Sequence, residues 1–224
     1  ASREGRLLHD VRIPTESYPI ANGKKRSGKR VLAVGTDCSV GKMYTGLAMD
    51  AEMRARGMKS TFRPTGQTGI LITGQGVPLD AVVADFMAGS VEFLTPDNDA
   101  DHWDHIEGQG SLFHPSYSGV TLALIHGGQP DVLVLAHEPT RTHLRGLPDY
   151  GIPSLEDLRD LALPMARMVN PDCEVLAVSV NTSKLDDDAA AACLAEIEGR
   201  MGLPTADPYR GDGATRLVDA VLKA

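Results

Sequence analysis

The feature that most constrains the fold is a buried strand that runs, through a short loop, directly into a helix. The apolar residues Val31–Val34 predict a strand of the kind found in parallel sheets. The loop Thr36–Lys42 ends in a glycine and a lysine, and an apolar pattern of helical period begins at Met43. This is the setting of a phosphate-binding loop, in which backbone N–H groups and the helix N-terminus hold an anion and the lysine reaches over it.

The loop departs from the common pattern G-x-x-x-x-G-K-[ST] at both ends. Thr36 stands where the first glycine is expected, and Met43 stands where a serine or threonine hydroxyl would ligate magnesium. A thioether cannot serve as that ligand, so the loop is predicted to hold phosphate, with weaker support for magnesium-nucleotide chemistry. The predicted cofactor contacts are the loop residues Thr36, Asp37, Cys38, Ser39, Val40, Gly41, Lys42 and Met43.

Length and composition fit one α/β domain. The chain has 224 residues, 42% of them hydrophobic but only 4% aromatic, which favours a parallel sheet covered by helices over an antiparallel sandwich. A net charge of −8 argues against a general affinity for nucleic acid or anionic membrane. Three scattered cysteines and the lack of a long apolar run predict a soluble cytoplasmic protein.

Residues 1–30 are predicted to be a linker or the tail of a missing N-terminal domain, and residues 31–224 to be the α/β domain. The first segment has little periodic apolar content, and its basic run Lys24–Arg30 is interpreted as a solvated connector. The chain begins at Ala1, which favours a longer parent protein. Several apolar helix faces are compatible with a homo-oligomer.

Downstream, strand and helix patterns alternate along the chain. This order predicts a doubly wound, mostly parallel sheet with helices on both faces. One helix is predicted over Val77–Leu94 and a loop of small polar residues over Arg63–Gly69. Ligands of such folds bind beyond the carboxyl ends of the strands, where the loops 35–42, 63–69, 107–111, 137–143 and 181–184 would converge.

These loops hold the other candidate site residues. Arg63 and Thr65 offer donors, and Glu107 places a carboxylate where a strand meets a glycine-rich turn. His137 and Arg141 belong to the densest cluster of titratable groups in the chain, directly after the most apolar strand.

Several motifs resemble known families. The loop Gly35–Lys42 resembles the G-T-D-x-x-V-G-K loop of dethiobiotin synthetase, and Glu107–Gly110 is similar to the E-G-A-G segment of that enzyme. Asn181 falls where such proteins often carry a base-recognising asparagine. A closer resemblance, over roughly residues 31–224, is to a P-loop family long catalogued as being of unknown function, some of whose members are D-glutamate N-acetyltransferases. It is carried by the segments Arg63–Gly69, Asp80–Phe86, Ile106–Leu112 and His137–Arg141.

The resemblance implies a three-layer P-loop fold and acetyl transfer from acetyl-coenzyme A to the amine of D-glutamate. Full-length relatives carry a further N-terminal Rossmann-like domain. In this interpretation Glu107, and after it His137, is the candidate base that deprotonates the amine. Backbone N–H groups at 108–110 would stabilise the oxyanion. The predicted substrate contacts are Arg63 and Arg141 for carboxylates, with Thr65 and Gln109 beside them. No metal ligand is assigned.

Two other classes stay open. One is an ATP-dependent kinase or ligase of the dethiobiotin synthetase type, in which Lys42 would hold the β- and γ-phosphates and Asp37 or Glu107 would hold Mg²⁺. Met43 counts against it. The other is a non-catalytic nucleotide-binding module that controls a partner. The titratable cluster at 137–143 counts against that module.

Overall fold

A computed structural model describes residues 4–5, 10–14 and 16–224. Eight strands and seven α-helices are present in this part of the chain. The strands are β1 Lys29–Gly35, β2 Ser60–Arg63, β3 Trp103–Ile106, β4 Val132–His137, β5 His143–Leu144, β6 Leu147–Gly151, β7 Glu174–Val180 and β8 Thr205–Ala206. The helices are α1 Lys42–Ala55, α2 Gln67–Thr73, α3 Ala84–Leu94, α4 Ser118–Gly128, α5 Leu155–Arg167, α6 Asp187–Met201 and α7 Gly213–Val221.

Six strands form one parallel sheet in the order β2-β3-β1-β4-β7-β8. The strand β1 lies inside it, with Val31 opposite His105 on one side and Val132 on the other. The chain runs from β1 to the edge strand β2, returns to β3, and then crosses to β4, β7 and β8 on the other side of β1, which is a doubly wound arrangement as predicted. The carboxyl ends of these strands therefore share one edge.

Helices cover both faces, because successive residues of a buried strand point to opposite sides of the sheet. On one face Leu32 and Val34 join a core that includes Leu124 of α4 and Leu158 of α5. On the other face Val31 packs in a core with residues of α1 and α7. Leu133 and its neighbours in β4 are wholly buried, and each such side chain contributes roughly 1.5–3 kcal/mol to folding. The predicted three-layer fold is confirmed.

Three local differences from the sequence predictions bear on the site. The predicted loop over Arg63–Gly69 contains the start of α2, a helix of seven residues that ends at Gly74 in the left-handed conformation (φ 77°). The predicted helix over Val77–Leu94 is a 3₁₀ turn, Leu79–Ala81, followed by two extended residues and then α3. Third, β5 and β6 form an antiparallel hairpin that was not predicted.

The interpretation of the basic run Lys24–Arg30 as solvated is wrong for its two arginines, whereas Lys24 and Lys25 are exposed. Arg26 donates to the carbonyls of Thr95 and Gly127, both at 2.6 Å, and Arg30 is fully buried. The arginines of the run therefore pack against the domain, and β1 begins at Lys29, within the run. Of the rest of the predicted tail, residues 1–3, 6–9 and 15 lie outside the described residues. Among the described helices, none combines the length and apolarity that crossing a bilayer requires.

Candidate functional site: a phosphate-binding loop and two adjoining cavities

The loop between β1 and α1 closes around the lysine at the start of the helix. Lys42 is 4% exposed, and its Nζ donates to the carbonyl of Asp37 at 2.7 Å. Gly41 caps α1 with φ 108°, a conformation that favours glycine. A Cβ on Gly35 would lie 2.9 Å from the Lys42 Nζ, so this glycine leaves the space that the ammonium occupies. Burial lowers the pKa of Lys42 to about 8.

Asp37 holds the outside of the loop together. One carboxylate oxygen accepts the Cys38 N–H at 2.7 Å, and the other accepts Arg141 Nη1 at 2.5 Å and the Arg145 N–H at 2.7 Å. Arg141 also donates to the carbonyls of Cys38 and Ser39. Arg141 was predicted to bind a substrate carboxylate. In the structure its guanidinium braces the loop instead.

The β5–β6 hairpin lies beside the same loop and contributes a cation that the sequence analysis missed. Arg145 is exposed, and its guanidinium contacts the Ser39 hydroxyl. Its carbonyl accepts a hydrogen bond from His114 Nε2 at 3.0 Å. The available sequence signal was weak: Gly146, which follows with φ 77°, marks a turn but not its place in the fold.

Glu107 joins the ends of β2 and β3. Its Oε2 accepts the N–H groups of Thr65 (2.8 Å) and Gly66 (2.9 Å), and its carbonyl accepts the Thr65 hydroxyl. Burial raises the pKa of Glu107, while the two backbone N–H bonds act in the opposite direction. Gln109 donates to the Thr65 hydroxyl at 3.0 Å. The structure thus brings together three predicted site residues, Glu107, Thr65 and Gln109. Thr65 is fully buried, and its hydroxyl is already hydrogen-bonded to the other two.

His137 lies behind the loop. Its Nδ1 shares a 3.0 Å hydrogen bond with the hydroxyl of Thr36, and burial lowers the pKa of the ring. The lowered pKa favours the neutral imidazole, the form that a base requires. Neither His137 nor Glu107, however, lines the cavities described below. Both predicted bases therefore lie behind the residues that line the two cavities.

Arg63 is not brought to the loop. Its Nε donates to the buried carboxylate of Asp104 at 2.7 Å, and its side chain lines a separate cavity with Phe62 and Phe93. Arg63 was predicted to open the loop after the strand, but it is the last residue of β2, and its guanidinium pairs with Asp104 of the neighbouring strand β3. The prediction that Arg63 binds substrate at the phosphate-binding loop is therefore not supported by its position.

Two cavities adjoin the loop and share Gly41, Tyr44 and Asn181. The first, called here the loop cavity, measures about 910 Å³ and is bordered by Lys42, Cys38, Met43, Gln109 and Arg145. The second, called the aromatic cavity, measures about 600 Å³ and is bordered by Val40, Ser183 and Tyr209. The rings of Tyr44 and Tyr209 meet edge to face, with centroids 5.6 Å apart.

One group of side chains beside the loop is of the types that can ligate a metal ion. Asp37, Cys38 and His114 each offer an atom, and these atoms lie within 4.8 Å of one another. Both carboxylate oxygens of Asp37 are already bonded, and the His114 ring uses one nitrogen for the Arg145 carbonyl and the other for the Ser116 N–H. Burial also raises the pKa of the Cys38 thiol. The donor set therefore does not suit a metal ion.

A parallel sheet with a lysine-closed anion loop between its inner strand and the following helix defines a P-loop α/β domain. Residues 19–218 match the family described as "Domain of unknown function (DUF1611_C) P-loop domain". The chain belongs to this DUF1611 family and represents its C-terminal P-loop domain.

Two curated relatives carry the same name. A "D-glutamate N-acetyltransferase" from Tritonibacter scottomollicae is 73% identical over 221 residues, which cover 99% of this chain and 66% of the relative. Another protein of that name, from a Pseudoalteromonas species, is 47% identical and covers 94% of this chain and 63% of its own length. The chain thus spans about two thirds of the length of the curated relatives it matches.

Solved structures agree on the fold. The crystal structure of a DUF1611 family protein from Anabaena variabilis has a TM-score of 0.91 and 40% identity, covering 98% of this chain and 65% of that one. Cobyrinic acid a,c-diamide synthase from Mycobacterium smegmatis, solved with ADP and magnesium, has a TM-score of 0.52 over 88% of this chain and 94% of that one. At 15% identity, the second likeness shows the fold alone.

Proposed function

We propose that this chain is the donor-binding domain of an N-acetyltransferase that moves an acetyl group from acetyl-coenzyme A to the amine of D-glutamate. The observation that carries the proposal is the pair of connected cavities at the loop, read together with the names of the two relatives. Coenzyme A has an adenine at one end, then a diphosphate, then a flexible arm that bears the thioester. The cavities offer an aromatic space and an anion loop in the same order.

In this proposal the adenine enters the aromatic cavity and packs against the edge-to-face pair of Tyr44 and Tyr209, where contact with the rings gives affinity. Asn181, which lines both cavities, contacts the base or its ribose. The diphosphate lies on the backbone N–H groups that precede α1, beside Lys42. The thioester arm then runs through the loop cavity towards Gln109 and Gly110, which line it.

The chemical step requires an amine that has lost its proton, a carbonyl held against donors and a departing thiolate. Glu107 is the proposed base, because burial raises the pKa of its carboxyl group and so strengthens it as a proton acceptor. The backbone after it, at 108–110, is the proposed oxyanion site. His137, which is hydrogen-bonded to the Thr36 hydroxyl, is the second candidate base. The carboxylates of D-glutamate need partners other than Arg63 and Arg141, since both guanidinium groups are committed.

The proposal also locates the protein in the cytoplasm, where acetyl-coenzyme A is available and thiols stay reduced. Cys38, Cys173 and Cys193 are all free thiols, in keeping with that environment.

Two titrations test the proposal. Calorimetry should give a lower Kd for acetyl-coenzyme A than for MgATP, and Lys42→Ala should weaken acetyl-coenzyme A binding while circular dichroism stays unchanged. In the same preparation, release of free coenzyme A thiol should require D-glutamate. Tighter MgATP binding, with phosphate release that depends on an amine substrate, would replace the proposal by the kinase or ligase alternative. Binding without any turnover in a full-length relative would favour the regulatory module.

A further inference from the structure

The P-loop fold implies a magnesium ion beside the bound phosphates, but the residues of this chain do not fit one. Met43 offers a thioether where the metal-binding hydroxyl would stand. Asp37 has both carboxylate oxygens occupied by N–H donors and the Arg141 guanidinium. One carboxylate oxygen of Glu107 accepts hydrogen bonds from the N–H groups of Thr65 and Gly66. Two of the three groups that could hold the ion are therefore lost, and the third is partly committed.

The charges around the loop are arranged so that two cations remain for an anionic ligand. The Asp37 carboxylate is neutralised by Arg141 at 2.5 Å. Glu138, fully buried nearby, pairs with Lys184 at 3.0 Å. Lys42 and Arg145 line the loop cavity, and among the described residues neither forms an ion pair with a carboxylate. Arg12 also lines this cavity but is paired with Asp80 at 3.0 Å, so Lys42 and Arg145 are the cations left to balance a bound diphosphate, which has about two negative charges.

The position of Arg145 suits a contact with a bound diphosphate. Its backbone is fixed to the loop, because its N–H bonds Asp37 and its carbonyl accepts from His114. Its guanidinium is exposed, and its recorded contact is with the hydroxyl of Ser39, a loop residue. A planar guanidinium presents a rigid fork of N–H groups that binds two phosphate oxygens in parallel, whereas a lysine ammonium acts as a point charge. The hairpin thus anchors the residue and leaves its charged group free to turn to a ligand.

We infer that Arg145 is the phosphate-binding residue that takes the place of magnesium in this P-loop, so that the loop binds diphosphates without a metal ion. The ligand class is a diphosphate ester. Its identity as coenzyme A rests on the proposed function, whereas the role of Arg145 rests on the geometry of the loop and hairpin.

The test compares full-length wild-type protein with Arg145→Ala and Arg145→Lys by calorimetry. Inorganic pyrophosphate is titrated in EDTA, and acetyl-coenzyme A is titrated in EDTA and in 5 mM Mg²⁺, roughly the excess that would fill an ordinary P-loop site. Because Mg²⁺ chelates pyrophosphate in solution, the metal comparison uses acetyl-coenzyme A. The control is Arg159→Ala, an exposed arginine of α5 that pairs with its neighbour Asp160. Thermal melts verify that each variant folds.

We expect Arg145→Ala to weaken pyrophosphate binding at least tenfold, Arg145→Lys to retain an intermediate affinity, and Arg159→Ala to match wild type. Magnesium should change the acetyl-coenzyme A Kd less than twofold. Equal affinities of wild type and Arg145→Ala, a tenfold gain on adding Mg²⁺, or no pyrophosphate binding in EDTA would each overturn the inference.

The outcomes also separate this inference from the proposed function. If pyrophosphate binds in an Arg145-dependent manner but acetyl-coenzyme A does not bind, the inference stands and the proposed donor is wrong. If D-glutamate is acetylated equally well by wild type and Arg145→Ala, the proposed function stands and the inference fails.

Discussion

Lys42 is the residue whose ionisation should control ligand binding. Its ammonium group is buried and donates to the carbonyl of Asp37, and burial lowers its pKa to about 8. Since the protonated form attracts phosphate, the Kd for acetyl-coenzyme A should rise as the pH increases above that value, by up to about tenfold per pH unit. Calorimetry between roughly pH 7 and 9.5 measures this, a range above the phosphate ionisations near 6.

The control for this titration is Lys42→Ala, whose weaker binding should not vary with pH over the same range. Proton uptake on binding, measured in buffers of different ionisation enthalpy, should appear near pH 8 in wild type only. A wild-type affinity that stays constant from neutral to alkaline pH would show that the Lys42 ammonium does not contact the ligand.

Glu107 can be tested by a change that keeps its shape. In Glu107→Gln the amide oxygen can still accept the N–H groups of Thr65 and Gly66, so the link between β2 and β3 should survive. If Glu107 is the base, kcat should fall by about 100-fold or more with little change in KM. Steady-state kinetics of a full-length protein measure both values.

The pH dependence of activity distinguishes a base from a residue with only a structural role. Burial raises the pKa of Glu107, so wild-type activity should fall as the pH drops through that pKa and the carboxylate takes up its proton. Glu107→Gln should lack this acid limb, while the exposed control Glu196→Gln should keep it. Full activity in Glu107→Gln would leave the residue with a structural role only.

At the scale of elements, the junction of loop and α1 depends on the backbone of Gly41. Its φ of 108° is strained for any residue with a Cβ, although a Cβ there would find an ordinary 3.5 Å contact with Asn181. Gly41→Ala should therefore destabilise the domain by about 1–3 kcal/mol through backbone strain alone. Denaturant unfolding measures the change.

Gly119 provides the matched control for that substitution. It lies in α4 with open space around the position of a Cβ and an ordinary helical backbone. Gly119→Ala should leave the free energy of unfolding unchanged or raise it by up to about 1 kcal/mol. Equal effects of the two substitutions would mean that the left-handed turn at Gly41 is not required for folding.

The sequence predicted those elements whose apolar pattern is long and regular. Residues Val31–Val34, Asp131–Ala136 and Glu174–Val180 were each assigned to strands that the structure contains, and the order of strands and helices followed. The hairpin was missed because Leu144–Gly151 has two glycines, a proline and no alternation of apolar residues. The helix α2 was missed because seven residues after a glycine and a threonine give too little periodicity.

Side-chain direction was harder to predict than position. The sequence placed Arg63 and Arg141 near the carboxyl ends of strands, and their backbones do lie there. The partners of their guanidinium groups, however, come from other segments. Asp104 of β3 takes one guanidinium and Asp37 of the loop takes the other. Such pairs depend on strand register and loop conformation, and a single sequence reports neither. Arg145 escaped notice for the same reason.

At the scale of the whole molecule, the residues proposed to hold the donor, Lys42, Arg145 and Tyr209 among them, lie in a chain that spans about two thirds of its curated relatives. We therefore expect the 224-residue chain to bind acetyl-coenzyme A within about threefold of the Tritonibacter scottomollicae relative, a difference below 1 kcal/mol. Parallel calorimetry of the two proteins measures this. If only the relative binds acetyl-coenzyme A, part of the donor site lies in the region of the relative that this chain does not span.

The β5–β6 hairpin has a consequence for how such a domain can diversify. It stands apart from the six-stranded sheet, and Pro148, Asp149 and Tyr150 on it are exposed to solvent. Substitutions at these three positions would not disturb the packing of the core. They would, however, shift the hairpin, which is hydrogen-bonded to the phosphate-binding loop through the Arg145 N–H. New ligand preferences could therefore evolve in the hairpin without a loss of expression or folding yield.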